Sequence, residues 1–420
     1  MSSQLAGAVA VTGPDVPAVV AGVAPGSTST ARAVWLLIAG QAASTVGDGC
    51  YAVALPWFVL TNDGGASALG AVLAAYGIAR AAAMPIGGVL CDRLGARRVL
   101  LVVDVVRAVL LGTFALVAAV GVPSLAVVAV VSALIGACQG AFVPGSFALM
   151  PSIAHEDDLQ RANAGLTGAL QAGSLVGPVI GAALVAGVGP AGAFALDAAT
   201  FAVSAGTLAL LRVEGVVRSE ADGEAPSLRA IVTAHPVLPI MLVVVLAGNL
   251  ASGGIFAVAL PVLAHEQLGA SGYGVVLVAL AAGAVGGTVL AAGINARRPA
   301  VLATSVFLAQ TVALALLPYL GGLAGASIAA VAFGLANAVG ELLIVTAVQR
   351  SFPSAALGRI MGLLMLASTG AFPISVVLVT AVVGYAGAAA AFPVAGAFTA
   401  AALLFGLSRD TFRQFAAVTG

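Results

Sequence analysis

Twelve stretches of this chain are each apolar over enough residues to cross the roughly 30 Å hydrocarbon core of a lipid bilayer. They fall near 34–60, 68–91, 98–121, 124–149, 163–188, 190–211, 237–263, 272–294, 300–321, 324–348, 357–384 and 387–407. A backbone surrounded by hydrocarbon must satisfy its polar groups internally, so spans of this length are helices. The expected fold class is an all-α polytopic membrane protein with twelve transmembrane helices. Composition agrees: 61% of the 420 residues are hydrophobic and 8% are charged, against about a quarter charged in a soluble domain.

The charged residues exclude several functions. The formal net charge is zero, which removes the electrostatic case for binding nucleic acid. All sixteen basic residues are Arg. Without Lys there is neither a Walker A loop for ATP nor a Schiff-base nucleophile. Cys50, Cys91 and Cys138 lie in or beside apolar runs at no metal-ligand spacing and read as packing residues. His155, His235 and His265 are scattered in loops or at span ends. We expect no catalytic constellation, no metal and no cofactor, hence no enzyme.

Arginine also sets the orientation. Arg80 and Arg107 fall inside spans; the other fourteen, from Arg32 to Arg413, all lie on one side of the membrane. By the positive-inside rule both termini are cytoplasmic. One helix more or fewer would scramble the alternation. The longest connection, 212–236, mixes Arg212, Glu214, Arg218, Glu220, Asp222, Glu224 and Arg229, and reads as a solvated cytoplasmic linker. The domain plan is a disordered tail over 1–31, a six-helix bundle over 32–211, the linker, a second six-helix bundle over 237–408 and a tail over 409–420. The first tail lacks a basic segment before a long apolar core, so it does not read as a signal peptide.

The two halves repeat. Ala52-Val53-Ala54-Leu55-Pro56 recurs as Ala257-Val258-Ala259-Leu260-Pro261, Gly65-Ala66-Ser67 as Gly269-Ala270-Ser271, and Ala96-Arg97-Arg98 as Ala296-Arg297-Arg298. Three repeats in order indicate a duplicated, pseudo-symmetric unit.

Between the second and third spans stands Gly88-Val89-Leu90-Cys91-Asp92-Arg93-Leu94-Gly95, then Arg97 and Arg98. Gly88 allows a close helix neighbour and Gly95 allows the turn. Asp92 sits near the C-terminal end of its helix, where the helix dipole disfavours an acid, so it needs an outside partner. This stretch resembles the loop 2–3 signature of the major facilitator superfamily; its arginines can also be read as topology signals alone. The resemblance implies a cytoplasmic gate, with Asp92 and Arg93 latching onto the N-terminus of span 11 when that side closes. The second copy has lost the acid: Ala292 and Gly293 stand in place of Asp92 and Arg93.

Span 5 carries Gly173, Gly177, Pro178 and Gly181. The pattern resembles the antiporter motif of exporters in that superfamily; its other reading is a small-residue helix contact. Gly47-Asp48-Gly49 with Ala54-Leu55-Pro56-Trp57, Leu196 to Phe201 and Gly358 to Leu363 are similar to the macrolide-efflux and siderophore-exporter-like branch of drug:proton antiporters. One departure stands out. Many proton-coupled exporters carry an arginine three residues before a Gln-Gly pair in span 4; here the pair is Gln139-Gly140 and that position is Gly136.

Ionisable residues inside spans are the site candidates, because a charge in hydrocarbon is costly. Asp48 and Arg80 both lie near mid-membrane, and Asp104 and Arg107 are three apart on one helix face. Asp197 in span 6 and Glu341 in span 10 complete the set. The two pairs read either as proton-coupling groups or as structural salt bridges. Asn249, Asn337, Gln171 and Gln310 line a cavity or bond a neighbouring helix.

The expected function is a secondary active transporter exporting an amphipathic organic molecule, such as an antibiotic, drug or siderophore-like metabolite. It works by alternating access and is driven by protons. The alternatives are metabolite uptake on the same fold, or a non-transporting receptor or assembly component. The expected partners are a small-molecule substrate, protons and the lipid bilayer, with no nucleic acid. The expected form is a monomer spanning the cell inner (plasma) membrane.

Overall fold

The computed structural model describes residues 28–62, 64–150, 153–154, 156–211, 237–294, 296, 298–351 and 354–415. Twelve long helices run through them: α1 Thr28–Thr61, α2 Gly65–Leu94, α3 Ala96–Val120, α4 Leu125–Leu149, α5 Glu156–Val188, α6 Pro190–Leu210, α7 Val237–Gln267, α8 Gly269–Ala292, α9 Pro299–Leu316, α10 Gly322–Ser351, α11 Ser354–Ala386 and α12 Ala388–Leu407. A single turn, α13, follows at Asp410–Arg413. Eleven of the long helices are apolar and long enough to cross a membrane. The other, α1, has 34 residues but is diluted by Gln41, Ser44, Thr45 and Asp48. The described residues contain no strand.

Gly and Pro set the helix ends. Gly95 turns α2 into α3 at φ 85°, a left-handed conformation that disfavours any side chain. Pro318 and the positive-φ pair Gly321 and Gly322 stop α9 at Leu316, short of the expected 321. In the other direction, α5 begins at Glu156 rather than 163. Its extra turns carry Asp158, an acid that suits the N-terminal part of a helix. The tail up to residue 27, the linker 212–236, Arg297 and residues 416–420 lie outside the described residues.

The contacts repeat as the sequence does. In the first bundle α1 packs on α5 and α6, α2 on α4, and α3 on α4 and α6. In the second, α7 packs on α11 and α12, α8 on α10, and α9 on α10 and α12. The bundles meet through α2 with α11 and α5 with α8, which are equivalent pairs under the same repeat.

Among the described residues they meet at one end. Trp57 stacks on Tyr273 at 6.0 Å and meets His265 edge-on at 5.4 Å. Tyr76 touches Phe372, and Gly70 lies against Thr380. These residues belong to the end with the short loops, where one apolar core runs through both bundles, from Leu55 and Leu69 to Leu260 and Val376. At the linker end the core splits. Leu37, Leu100, Leu149 and Leu208 form a cluster within the first bundle, and Leu238, Val348 and Ile360 form another within the second. Among the described residues, then, the bundles are closed at the short-loop end and have separate, parted cores at the linker end.

One helix departs from its expected regularity. Span 7 is not a uniform α-helix over 237–263; α7 reaches Gln267 and contains a π turn at Ile255–Ala259. The cause comes from α11. The Ser375 hydroxyl accepts from the Gly254 N–H and donates to the Leu250 carbonyl, each at 2.6 Å. It thus engages the two groups that an undisturbed helix pairs with each other.

Candidate functional site

Asp48 stands between two glycines that press α1 onto different neighbours. A Cβ at Gly47 would lie 2.0 Å from Thr200 Oγ1 and 2.3 Å from Asp197 Oδ1 on α6. One at Gly49 would lie 2.6 Å from Pro178 Cδ and 2.8 Å from the Gly177 Cα on α5. Neither position has room for a side chain. The Asp48 carboxylate keeps 30% exposure and forms an ion pair with Arg107 of α3.

Arg107 is buried, and its guanidinium centre lies 3.7 Å from the middle of the Phe201 ring, a cation–π contact. Asp104 is buried beside it and accepts the Ser204 hydroxyl at 2.6 Å, leaving Oδ1 without a partner among the described residues. Asp197 is wholly buried, and neither of its carboxylate oxygens has a partner there. Arg80 and Gln139 lie close enough to bear electrostatically on Asp48, while Arg80 Nε and Gln139 Oε1 remain unpartnered among the described residues. Nearby, Tyr51 donates to Ser132 at 3.0 Å.

Two expected pairings are therefore corrected. Asp48 pairs with Arg107 rather than Arg80. Asp104 and Arg107, three apart on one face, do not pair; Arg107 reaches across to α1 and Asp104 to α6. Same-helix spacing fixes a shared face, but each long side chain goes to the nearest partner on another helix. Glu341 is exposed on α10 of the second bundle, apart from the cluster.

The three motif glycines of α5, Gly173, Gly177 and Gly181, press on α1. A Cβ at Gly173 would come 3.1 Å from Thr45, one at Gly177 2.5 Å from the Val46 carbonyl oxygen, and one at Gly181 2.7 Å from the Cys50 Cα. The Cys50 thiol donates to the Gly177 carbonyl at 3.3 Å. This stripe, with Pro178 inside the helix, seats α5 against the turn that carries Asp48.

At the loop signature the close approach is one residue earlier than expected. Gly87 is the residue pressed on a backbone, where a Cβ would lie 2.5 Å from the Ala141 Cα, whereas one at Gly88 would meet nothing within 4 Å. Arg97 has a structural role: its Nε and a terminal nitrogen donate to the Leu208 and Ala209 carbonyls at 2.8 Å, capping α6. Asp92, Arg93 and Arg98 are exposed, and Asp92 forms no ion pair among the described residues.

The second bundle joins its helices with neutral groups. Ser368 donates to Asn249 at 2.7 Å, and Gln310 donates to Asn337 at 3.1 Å. Gln171, on α5 of the first bundle, is exposed instead. Sequence reasoning did not single out Ser204, Phe201 or Ser375. The first two had a signal: Asp197, Thr200, Phe201 and Ser204 repeat at helical spacing on one face of α6. Ser375 is one small polar residue in an apolar span and had none.

Two pseudo-symmetric six-helix bundles, parted at one end around a buried charge cluster, define a secondary membrane transporter. Residues 37–376 match the Major Facilitator Superfamily model, and the chain belongs to that superfamily. It is a multi-pass transporter and not an enzyme. Among curated proteins it is similar to the "Multidrug efflux pump Tap" of Mycobacterium tuberculosis, at 30% identity over 187 residues, 43% of this chain and 44% of that one. The match thus spans less than half of that relative's length. Among solved structures it is similar to an auto inhibited POT family peptide transporter, with TM-score 0.69, 15% identity, and 90% and 96% of the two chains covered. The nucleoside transporter NupG follows with TM-score 0.67, 14% identity, and 90% and 98% covered. At these identities the two structures speak for the fold alone.

Proposed function

We propose that this transporter exports an amphipathic organic molecule, such as an antibiotic, a drug or a siderophore-like metabolite, in exchange for protons. The observation that carries the reading is the Asp48–Arg107 pair: a partly open acid held against a buried cation within the first bundle. In the exchange Asp48 takes a proton and loosens from Arg107, with Arg80 tuning the acid. Gly136 leaves α4 without an intramembrane arginine, and Arg107 on α3 supplies the cation instead. The similarity to a multidrug efflux pump supports the outward direction, and the glycine stripe of α5 supports it as the antiporter motif.

The protein works as a monomer in the plasma membrane with its arginine-rich face and both termini in the cytoplasm, so the parted end faces inward. Single cysteines at Ser67 and Ser219 in a Cys-free background test the orientation: only Ser67 should label from outside. Function is tested by an accumulation screen across chemical classes in an efflux-deficient host. Expression should lower the accumulation of at least one amphipathic compound, and a protonophore should abolish the effect. Raised accumulation would establish uptake, and absence of flux from correctly inserted protein would point to a receptor or assembly role.

A further inference from the structure

The coupling reading leaves one buried acid unexplained. Asp197 is wholly enclosed, yet no hydrogen bond reaches either carboxylate oxygen among the described residues; the adjacent Thr200 hydroxyl donates instead to the Asp197 backbone carbonyl at 2.8 Å. A bare anion in that setting is costly. Its surroundings are specific. Phe201, one helical turn along α6, holds the Arg107 guanidinium at 3.7 Å from the ring centre. Arg107 therefore already lies against the helix that carries Asp197, while a terminal nitrogen pairs with Asp48 and Nε has no partner. Gly47 keeps the space beside Asp197 clear of any α1 side chain.

The titratable groups around Asp197, Arg107 and Asp48 are few. On α1 they are Asp48, Cys50 and Tyr51; on α2, Tyr76 and Arg80; on α3, Asp104 and Arg107; on α4, Cys138. From Gly165 to Val188, α5 contributes none. Asp104 is engaged by Ser204.

We propose that Asp197 is a second seat for Arg107, taken when Asp48 lets go. The inference rests on the proton-coupling reading and deepens it. In the present state Asp48 is ionised against Arg107, and Asp197 is a neutral acid. When the guanidinium moves across, one proton leaves Asp197 and one joins Asp48. The three groups sum to zero charge before and after. Asp48 can thus become neutral toward the cavity without stranding a buried cation, whose loss of partner would otherwise oppose the step. Asp197 is a positioning residue: it acts on the exchange through Arg107.

The test is infrared spectroscopy of the purified full chain in lipid nanodiscs at neutral pH, read at the C=O stretch of protonated carboxyls. It requires no substrate. Asp197→Asn should remove one component of that band. Asp48→Asn should remove the same component, because Arg107 then moves to Asp197 and ionises it. Asp48→Glu, which keeps the charge, should retain the component. If Asp197→Asn does not give folded protein, Asp197→Glu should shift the component instead of deleting it. A component that survives Asp48→Asn, or one that no Asp197 substitution alters, overturns the proposal. Failure of proton coupling is seen separately, in flux that ignores pH while the spectra behave as stated.

Discussion

The two bundles share a contact pattern and differ in what fills them. The first holds Asp48, Asp104, Asp197, Arg80 and Arg107 in the middle stretches of its helices; in the second, Gly253 occupies the place of Asp48, and the helices are joined by Asn249–Ser368 and Gln310–Asn337. Duplication preserved the packing and let the chemistry diverge. A pseudo-symmetric transporter needs two matching bodies to rock, but only one of them has to hold the charge that couples the motion. The second can then use neutral hydrogen bonds, which average only about 0.6 kcal/mol each between membrane helices.

If this division is right, the largest effects come from the first bundle. Asp48→Asn should abolish proton-driven flux, at least tenfold below wild type, in protein that still elutes as a single folded species. Unchanged pH-dependent flux would break the comparison outright. Arg107→Met should be the most destabilising single change, by about 3–5 kcal/mol, because it leaves buried acids without their shared cation. Thermal unfolding in detergent checks it, and a loss below about 1 kcal/mol would mean the cluster is not held by that cation.

A third change sharpens the contrast at the linker end. Asp92 is exposed where the bundles are parted, so any latch to α11 is undone in this state. A charge at a helix end contributes about 0.3–2 kcal/mol, up to about thirtyfold in a two-state balance. Asp92→Asn should therefore raise the population parted at the linker end, as spin-label distances across that face would report. Populations matching wild type would remove the latch. The smallest effect belongs to the second bundle: Asn337→Leu should cost about 0.6 kcal/mol and leave the pH dependence of transport unchanged. A shifted pH profile there would show that coupling is not confined to the first half.

Helix number and the duplication were legible in the sequence, because span length is set by the bilayer itself and the repeated motifs mark equivalent helices. Partner choice was not. Arg80 and Arg107 both fall inside spans, and which one meets Asp48 depends on the rotation of α2 and α3. In a soluble helix the apolar face would reveal that rotation. Here the lipid-facing and protein-facing sides are both apolar, so Val102, Val105 and Val109 on the outside of α3 look like Val99 and Val103 on the inside. The polar stripe on α6 was readable from its spacing, but nothing in the chain states that Ser204 meets Asp104, since that contact depends on the lateral order of the helices.

The hydroxyl of Ser375 has a mechanical consequence. It splices α11 into the backbone ladder of α7, one rung of which is shared between two rods. Sliding either rod along the other must surrender both bonds together, in a place where Gly254 already sits 2.5 Å, measured from a notional Cβ, from the Ser375 carbonyl oxygen. The joint thus resists shear while the π turn beside it leaves room to bend. Any movement of α11 must therefore carry α7 with it at this tie, and the five residues of the π turn, Ile255–Ala259, follow directly after the tie.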